Sequence, residues 1–250
     1  ATTLRELVRE HEEAQNALTV LSTRLPDPSG FGRIIRGRGG QFQAIVEERD
    51  ADAETRAIDE VNGGIYVFGA AQLRDALAGI GMDNDQGEKY LTDAALRIQA
   101  SGGRIEAVPI DDHWLVAGVN DRAQLSDLAL ELNRRIVRGH QLAGVTIVDP
   151  ASTWIDADVS IEEDVTILPG TQLHGATSIA RGATIGPDTT VTDTEVGERA
   201  VVRRSDVTLA VVGADASVGP FSYLRAGTIL GAGGKIGAAV ETKNAVIGDG

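Results

Sequence analysis

The chain has 250 residues, enough for one large domain or two modest ones. It carries 37 acidic against 23 basic residues and a formal net charge of −14, and both parts are acidic: 16 basic against 23 acidic residues up to position 145, then 7 against 14. The absence of a basic lobe excludes a bulk nucleic-acid or anionic-membrane binder, although small anions such as nucleotides and sugar phosphates need only a few cations. The chain has no cysteine, which excludes disulfides, thiolate metal sites and cysteine nucleophiles.

The apolar patterning predicts a soluble, cytoplasmic protein. No uninterrupted apolar run approaches the roughly 18 residues of a membrane-spanning helix, and the first residues form a charged helix rather than a signal peptide. The first residue is Ala1 and the only methionine is Met82, which indicates that the natural start lies elsewhere.

Residues 1–143 alternate helical and strand-like segments, as is typical of an α/β sheet. A helix capped by Thr2 or Thr3 is predicted to run to about Asn16. Further helices are predicted at residues 71–80, 90–100 and 122–140, and strands at residues 18–25, 33–35, 44–47, 64–68 and 104–110. No glycine-rich phosphate loop follows an opening strand, so the segment is not a complete doubly wound domain.

From about residue 145 the sequence repeats every six residues. Seven aliphatic residues from Ile155 to Val191 recur at that spacing, five more do so from Val212 to Ile236, and shorter spacings of five lie between them. Small residues often follow the aliphatic, and Val, Thr, Ala or Ser is common four positions after it. This period predicts a β-helix of hexapeptide repeats, with aliphatics inside and small residues at the corners. A β-sandwich would instead need strands of period two.

Several separated segments closely resemble one enzyme family, the bifunctional N-acetylglucosamine-1-phosphate uridyltransferase / glucosamine-1-phosphate acetyltransferases. These segments lie in the family's order and the resemblance covers essentially the whole chain. They are residues 27–34 (DPSGFGRI), 44–51 (AIVEERDA), 60–65 (EVNGGI), 86–93 (QGEKYLTD), 117–122 (AGVNDR), 142–145 (LAGV) with 149–150 (DP), 219–225 (GPFSYLR) and 241–244 (ETKN).

The resemblance implies that the chain is an internal segment of a longer enzyme. The family's nucleotide-gripping loop and an aspartate that binds Mg²⁺ would precede Ala1, and the histidine that serves as acetyl-transfer base would follow Gly250. We therefore expect no catalytic residue within the 250 residues, which alone should turn over neither reaction. The four histidines are interpreted as structural or solvated; they are His11, His113, His140 and His174.

The resemblance assigns sugar-nucleotide contacts to residues that also have ordinary interpretations. Gly32 would let the backbone approach the ligand, and Glu47 and Asn62 would hydrogen-bond the N-acetylglucosamine ring. Without the family they are a turn glycine and two strand-end polar residues. Tyr90 and Thr92 would lie near the sugar and its phosphate; the alternative is a helix start that Thr92 caps and Tyr90 packs against.

Asn120 has two compatible interpretations. The resemblance makes it a contact to UDP-N-acetylglucosamine and a ligand of the Mg²⁺ that bridges the nucleotide phosphates, and an amide oxygen suits that hard cation. Its place just before a helix also fits an N-terminal cap.

Arg225 breaks the repeat, because a charged residue stands where a small one usually follows the aliphatic; such violations tend to mark functional sites. The resemblance makes Arg225 and Lys243 the clamp for the amino-sugar phosphate, combining a bidentate guanidinium with a point charge. The alternative is solvated surface charge. The chain departs from the family at Ala226 and Ala239, where Pro and Phe are expected, and at Lys89, where a bulkier apolar residue is expected.

These observations predict two domains joined by a helix. Residues 1–122 would be the C-terminal part of a Rossmann-like nucleotide-diphospho-sugar transferase domain of the α/β class. Residues 123–143 would be a linker helix, and residues 144–250 roughly five coils of an all-β left-handed parallel β-helix.

The implied function is the last two steps to UDP-N-acetylglucosamine, for peptidoglycan and the cell wall, in a cytoplasmic homotrimer. Glucosamine 1-phosphate would be acetylated with acetyl-CoA, and UMP would then pass from UTP to the product with Mg²⁺ present and release of pyrophosphate. Two alternatives remain: another sugar-1-phosphate nucleotidyltransferase with a non-catalytic β-helix, or an inactive fragment that only assembles.

Overall fold

The computed structural model describes residues 2–81 and 89–250. Two compact units make up the chain, Ala1–Val119 and Asn120–Gly250. Of the family-like segment at residues 86–93, the first three residues lie outside the described part; they are Gln86, Gly87 and Glu88.

The first unit is an α/β unit, which confirms the predicted class. Its helices are α1 (Thr2–Glu13), α2 (Ala53–Arg56), α3 (Ala70–Leu77) and α4 (Asp93–Ala100), with a short 3₁₀ turn at His113–Val116. Its strands are β1 (Leu18–Arg24), β2 (Arg33–Arg36), β3 (Phe42–Val46), β4 (Glu60–Phe68) and β5 (Ile105–Ile110).

These strands form one mixed sheet in the order β3-β2-β4-β1-β5. Only β1 and β5 run parallel, whereas β1–β4, β2–β4 and β2–β3 are antiparallel. Leu18 and Val20 of β1 are fully buried, as is Ile34 of β2, and Ile98 of α4 packs into the same core.

A partly buried ion pair and its further hydrogen bonds connect four of these strands. Arg36 on β2 donates from Nε and Nη2 to the two carboxylate oxygens of Glu60 on β4, both at 2.7 Å. Ser22 on β1 donates to the same carboxylate at 2.6 Å, and Arg36 also reaches the carbonyl oxygen of Ala107 on β5 at 2.8 Å. Burial alone would raise the pKa of Glu60, but the hydrogen bonds from Arg36 and Ser22 hold that pKa below its ordinary value.

The second unit begins with the long helix α5 (Arg122–Leu142). Gly144, with φ +97°, follows its end, where the amide of Val145 donates to the carbonyl of His140 as in a glycine-terminated helix. Asn133 joins α5 to the strand that follows: its Nδ2 donates to the carbonyl of Thr153 and its Oδ1 accepts from the amide of Ile155. Helix α5 is therefore part of the same compact unit as the strands.

The rest of the second unit is a parallel β-solenoid, which confirms the predicted hexapeptide-repeat fold. Three six-stranded parallel sheets form its faces. The strands are β6 (Thr146–Ile147), β7 (Trp154–Ile155), β8 (Ser160–Ile161), β9 (Thr166–Ile167), β10 (Gln172–His174), β11 (Ser178–Ile179), β12 (Thr184–Ile185), β13 (Thr190–Thr192), β14 (Glu195–Val196), β15 (Val201–Val202), β16 (Asp206–Thr208), β17 (Val211–Val212), β18 (Ser217–Val218), β19 (Tyr223–Leu224), β20 (Ile229–Leu230), β21 (Lys235–Ile236), β22 (Glu241–Thr242) and β23 (Val246–Ile247).

The solenoid has about 6 turns, so the predicted five is wrong. The missed turn begins with Ile147, which is 7% exposed and pairs through β6 with β9. Ile147 stands eight residues before Ile155, because the turn at Asp149–Thr153 interrupts the spacing of six.

The repeat places its residues as the hexad predicts. The aliphatics at Ile167, Leu173 and Ile185 are 0% exposed, and so are the small residues four positions later at Thr171 and Thr177. Each strand therefore contributes one aliphatic to the interior and each corner one small buried residue.

Glycine at two corners has a steric cause, because the next turn passes directly beside it. A Cβ on Gly213 would lie 2.6 Å from the carbonyl carbon of Gly231 and 2.7 Å from the amide nitrogen of Ala232. A Cβ on Gly197 would meet the amide nitrogen of Ala214 at 2.6 Å. These atoms are backbone and cannot move aside cheaply, so no larger residue fits.

In residues 2–81 and 89–250, no helix combines the length and the apolar character that crossing a membrane requires.

Gly213→Ala should destabilise the solenoid by about 1–3 kcal/mol, because the added methyl forces neighbouring turns apart. The free energy of unfolding in urea measures this change. Gly237→Ala is the matched control, since its Cβ would meet nothing within 4 Å. Equal stability of the two variants would contradict the close approach at Gly213.

Candidate functional site

Three residues that are distant in sequence meet where β2, β3 and β4 lie side by side. Arg33 pairs with Val46 on β3 and with Val61 on β4, both antiparallel. Gly32 comes immediately before Arg33, so the residues that follow Val46 and Val61 lie opposite it; these are Glu47 and Asn62. The amide of Asn62 accordingly donates to the carbonyl of Gly32 at 2.8 Å. The structure thus brings together Gly32, Glu47 and Asn62.

Gly32 makes room for the carboxylate beside it. A Cβ at Gly32 would lie 3.3 Å from Oε2 of Glu47 and 3.3 Å from Cγ2 of Ile45. Such contacts are tighter than ordinary packing, so a side chain here would push Glu47 aside. Gly32 therefore does more than allow a turn: the absence of its side chain leaves room for Glu47.

Thr92 joins the same cluster from the start of α4. It occupies the N-cap position but makes no side-chain capping bond there. Its hydroxyl instead donates to Oε1 of Glu47 at 2.9 Å, and the residue is 6% exposed. The predicted capping bond is therefore absent, and the predicted place of Thr92 near the sugar and its phosphate stays a prediction. Tyr90 lies two residues earlier and is partly buried.

Tyr66 is a fifth residue of this cluster, and it was not predicted from the sequence. The side-chain amide of Asn62 donates to the Tyr66 hydroxyl at 2.6 Å, while the amide of Gly64 donates to Oδ1 of Asn62 at 3.0 Å. Burial raises the pKa of Tyr66, the hydrogen bond from Asn62 opposes this, and the charge of Glu47 adds to the rise. The two residues lie on one face because β1 sets Ser22 opposite Asn62 and Val20 opposite Tyr66, across an irregularity in β4 that a simple alternation in the sequence does not reveal.

The cluster suits a ligand rich in hydroxyl groups. Glu47 receives Thr92 on one oxygen and keeps the other as an acceptor, and Asn62 has a second amide hydrogen beyond the one that Tyr66 accepts. Acceptors and donors therefore stand side by side on a partly buried wall. A sugar ring needs this pattern, because each of its hydroxyls both donates and accepts.

Asn120 begins the second unit and does not cap the helix that follows. Asp121 is the N-cap of α5 and accepts from the amide of Gln124 at 2.8 Å, while Gln124 accepts from the backbone amide of Asn120 at 2.7 Å. The side chain of Asn120 is exposed and makes no hydrogen bond within the described residues. The capping interpretation of Asn120 is therefore wrong, and its amide oxygen is available to a cation.

No cluster of three or more His, Asp or Glu side chains that could hold a metal ion occurs in residues 2–81 or 89–250. A single amide oxygen nevertheless fits Mg²⁺, since this ion keeps several waters and takes further ligands from substrate phosphates.

Arg225 and Lys243 lie at one corner of adjacent solenoid turns. Leu224 pairs with Thr242, and each cation is the next residue along its chain. Neighbouring strands are about 4.8 Å apart, so both side chains leave the backbone close together. Both residues have exposed side chains, that of Arg225 at 41%.

Glu241 and Tyr223 hold the guanidinium of Arg225 at the surface. Nη1 of Arg225 donates to Oε1 of Glu241 at 3.0 Å, and the guanidinium lies 6.0 Å from the centre of the Tyr223 ring. The side chain of Lys243 makes no ion pair within the described residues. The guanidinium and the exposed ammonium at this corner are the kinds of group that bind a phosphate.

The histidines have local contacts. His11 is buried and hydrogen-bonds the hydroxyl of Thr19 at 3.0 Å, and the ring of His113 lies 5.1 Å from that of Trp114. His174 lies 3.3 Å from a carboxylate oxygen of Asp156, and burial lowers the pKa of His140.

A double-mutant cycle should reveal the bond between Thr92 and Glu47. Thr92→Val and Glu47→Leu should show a coupling energy of about 1–2 kcal/mol in urea unfolding, because the hydrogen bond between the hydroxyl and the carboxylate is lost in either variant. Thr92→Ser keeps the hydroxyl and is the control. Additive effects would mean that the two side chains do not interact.

The chain matches curated proteins along its whole length. It is 62% identical over 250 residues to the bifunctional protein GlmU of Clavibacter sepedonicus, covering 100% of this chain and 51% of that protein. It is 56% identical to the protein of that name from Kineococcus radiotolerans and 52% identical to that of Mycobacterium leprae, each over 250 residues and 51% of the relative. The chain thus spans about half the length of the curated relatives it matches.

Solved structures offer weaker similarities. The GDP-perosamine N-acetyltransferase of Caulobacter crescentus, in complex with CoA and GDP-perosamine, is 18% identical with a TM-score of 0.39 over 61% of this chain and 82% of that chain. The acetyltransferase domain of PglB from Neisseria gonorrhoeae, with acetyl coenzyme A, is 18% identical with a TM-score of 0.40, over 61% and 84%. At such scores neither structure bears on the site.

No family model matches the chain. The relatives cover every segment that carried the resemblance. Over all of its 250 residues, the chain is similar to the bifunctional GlmU proteins, of which it spans about half.

Proposed function

We propose that the chain is part of a bifunctional transferase that makes UDP-N-acetylglucosamine. One activity would acetylate glucosamine 1-phosphate with acetyl-CoA, and the other would transfer UMP from UTP to N-acetylglucosamine 1-phosphate. The observation that carries the proposal is the meeting of Gly32, Glu47 and Asn62, which the strand register puts next to one another, with Thr92, which joins them through its hydrogen bond to Glu47.

In the uridyl transfer, this cluster binds and orients the amino sugar. Glu47 accepts hydrogen bonds from ring hydroxyls and Asn62 donates to a ring substituent, which aims the sugar phosphate at the α-phosphorus of UTP. A phosphate oxygen of the sugar forms the new bond to that phosphorus, the bond to the β-phosphate bridge breaks, and pyrophosphate leaves. These residues contribute to the rate of uridyl transfer by positioning the sugar phosphate.

Asn120 would provide one oxygen ligand for Mg²⁺. The ion, when bound with the nucleotide, neutralises charge on the phosphates. The exposed side chain of Asn120, which the helix cap does not use, supports this assignment.

In the acetyl transfer, Arg225 and Lys243 hold the phosphate of glucosamine 1-phosphate. The amino group of this substrate attacks the thioester carbon of acetyl-CoA, the carbon–sulfur bond breaks, and CoA leaves as the thiol. The amino group must lose its ammonium proton first, and none of the four histidines of the chain is assigned as the base.

We place the enzyme in the cytoplasm, where UTP and acetyl-CoA are available, and in a homotrimer. An apolar column on one face of the solenoid supports self-association: Val211 is 36% exposed, Ile229 45% and Val246 78%, and their strands are successive neighbours. Copies of the chain could bury this column against one another.

The proposal is tested in a chimera in which this chain replaces the matching half of the Clavibacter sepedonicus relative. We expect the chimera to perform both reactions. Arg225→Ala and Lys243→Ala should each raise the KM for glucosamine 1-phosphate at least about tenfold, because a charge-assisted bond to phosphate is lost. Coupled assays of CoA and pyrophosphate release measure the two activities separately.

Arg199→Ala is the matched control, since Arg199 is an exposed solenoid arginine that pairs with Asp215. It should leave both activities unchanged. Normal acetyl transfer by both clamp variants would refute the phosphate clamp. Uridyl transfer without any acetyl transfer in the unsubstituted chimera would favour a nucleotidyltransferase whose solenoid is not catalytic. Loss of uridyl transfer in the unsubstituted chimera would refute the sugar-binding cluster.

A further inference from the structure

Tyr66 stands in the wall that Glu47 and Asn62 form, and it has no role in the function proposed above. Its ring packs against the core of the first unit, with the ring of Phe68 5.6 Å away. Its hydroxyl faces away from that packing and receives the side-chain amide of Asn62 at 2.6 Å. The aromatic ring therefore anchors the residue, and the hydroxyl reaches the polar cluster.

The hydrogen-bond directions leave one proton unassigned. Asn62 is fixed from two sides, by the amide of Gly64 on its oxygen and by Tyr66 on its nitrogen. Because the Tyr66 oxygen accepts in that bond, its own hydrogen is free for another acceptor. Glu47 acts on Tyr66 through its negative charge, and this charge disfavours the loss of that hydrogen.

We propose that Tyr66 is a sugar-positioning residue, which fixes the amide of Asn62 and donates its hydroxyl hydrogen to an oxygen of the bound hexosamine 1-phosphate. This inference rests on the proposed uridyl transfer and deepens it. Glu47 accepts from the sugar, whereas Asn62 and Tyr66 donate to it. A hydroxyl-bearing ring is thereby recognised through both halves of its hydrogen-bonding capacity.

Tyr66→Phe in the chimera tests this role, because the variant keeps the ring and removes only the hydroxyl. We expect the KM for N-acetylglucosamine 1-phosphate to rise about tenfold, with kcat, the KM for UTP and acetyl transfer unchanged. Ser101→Ala is the control, since it also deletes a hydroxyl, one that bonds the carbonyl of Ile98 at 2.8 Å. This control should behave like the parent.

Deoxy analogues of the sugar phosphate distinguish a direct hydrogen bond from Tyr66 to the sugar from an indirect effect through Asn62. The parent should discriminate against the analogue that lacks the accepting oxygen, and Tyr66→Phe should lose that discrimination. An unchanged KM, or equal increases in the KM for the sugar phosphate and for UTP, overturns the inference while the proposed function stands. If the parent chimera neither transfers uridylate nor binds UDP-N-acetylglucosamine in calorimetry, the proposed function fails and the inference fails with it.

Discussion

Hydrogen-bonding register between neighbouring strands is the constraint on which both units depend. In the first unit it sets Gly32 opposite Glu47 on one side and Asn62 on the other. In the solenoid it repeats at every turn, so that residues one turn apart stand in line, as Arg225 and Lys243 do. A slip of one residue would turn every side chain of a strand to the opposite face, and would separate the residues around Gly32 as well as Arg225 and Lys243. The partly buried Arg36–Glu60 pair opposes such a slip, because it joins β2 to β4 and reaches β5.

The solenoid was predictable because its constraint is local and repeated. One inward aliphatic in each hexad fixes the strand, the corner and the neighbour in the next turn. Ile147 was not predicted as part of the repeat, because the turn at Asp149–Thr153 lengthens its spacing to the next aliphatic, Ile155. In the first unit, helix α4 begins at Asp93 rather than Tyr90. Thr92, the residue before the helix, hydrogen-bonds Glu47 instead of capping α4.

The site residues also differ in how far the sequence alone could assign them. The resemblance supplied candidates, but the sequence left Thr92 and Asn120 each with two interpretations. Tertiary contacts exclude only the capping interpretations: the Thr92 hydroxyl bonds Glu47 instead, and Asp121 takes the cap next to Asn120. The ligand contacts of Thr92 and Asn120 stay predictions. Tyr66 carries no sequence motif of its own, because its position matters only through the fold that brings its hydroxyl to Asn62.

A crystal structure of the chimera with UDP-N-acetylglucosamine bound tests the central claim most directly, that strand register builds a sugar-recognising wall. The sugar ring should lie against Gly32, with its hydroxyls within hydrogen-bonding distance of Glu47 and its substituents within reach of Asn62. A sugar bound elsewhere, with Glu47 still paired only to Thr92, would contradict that claim.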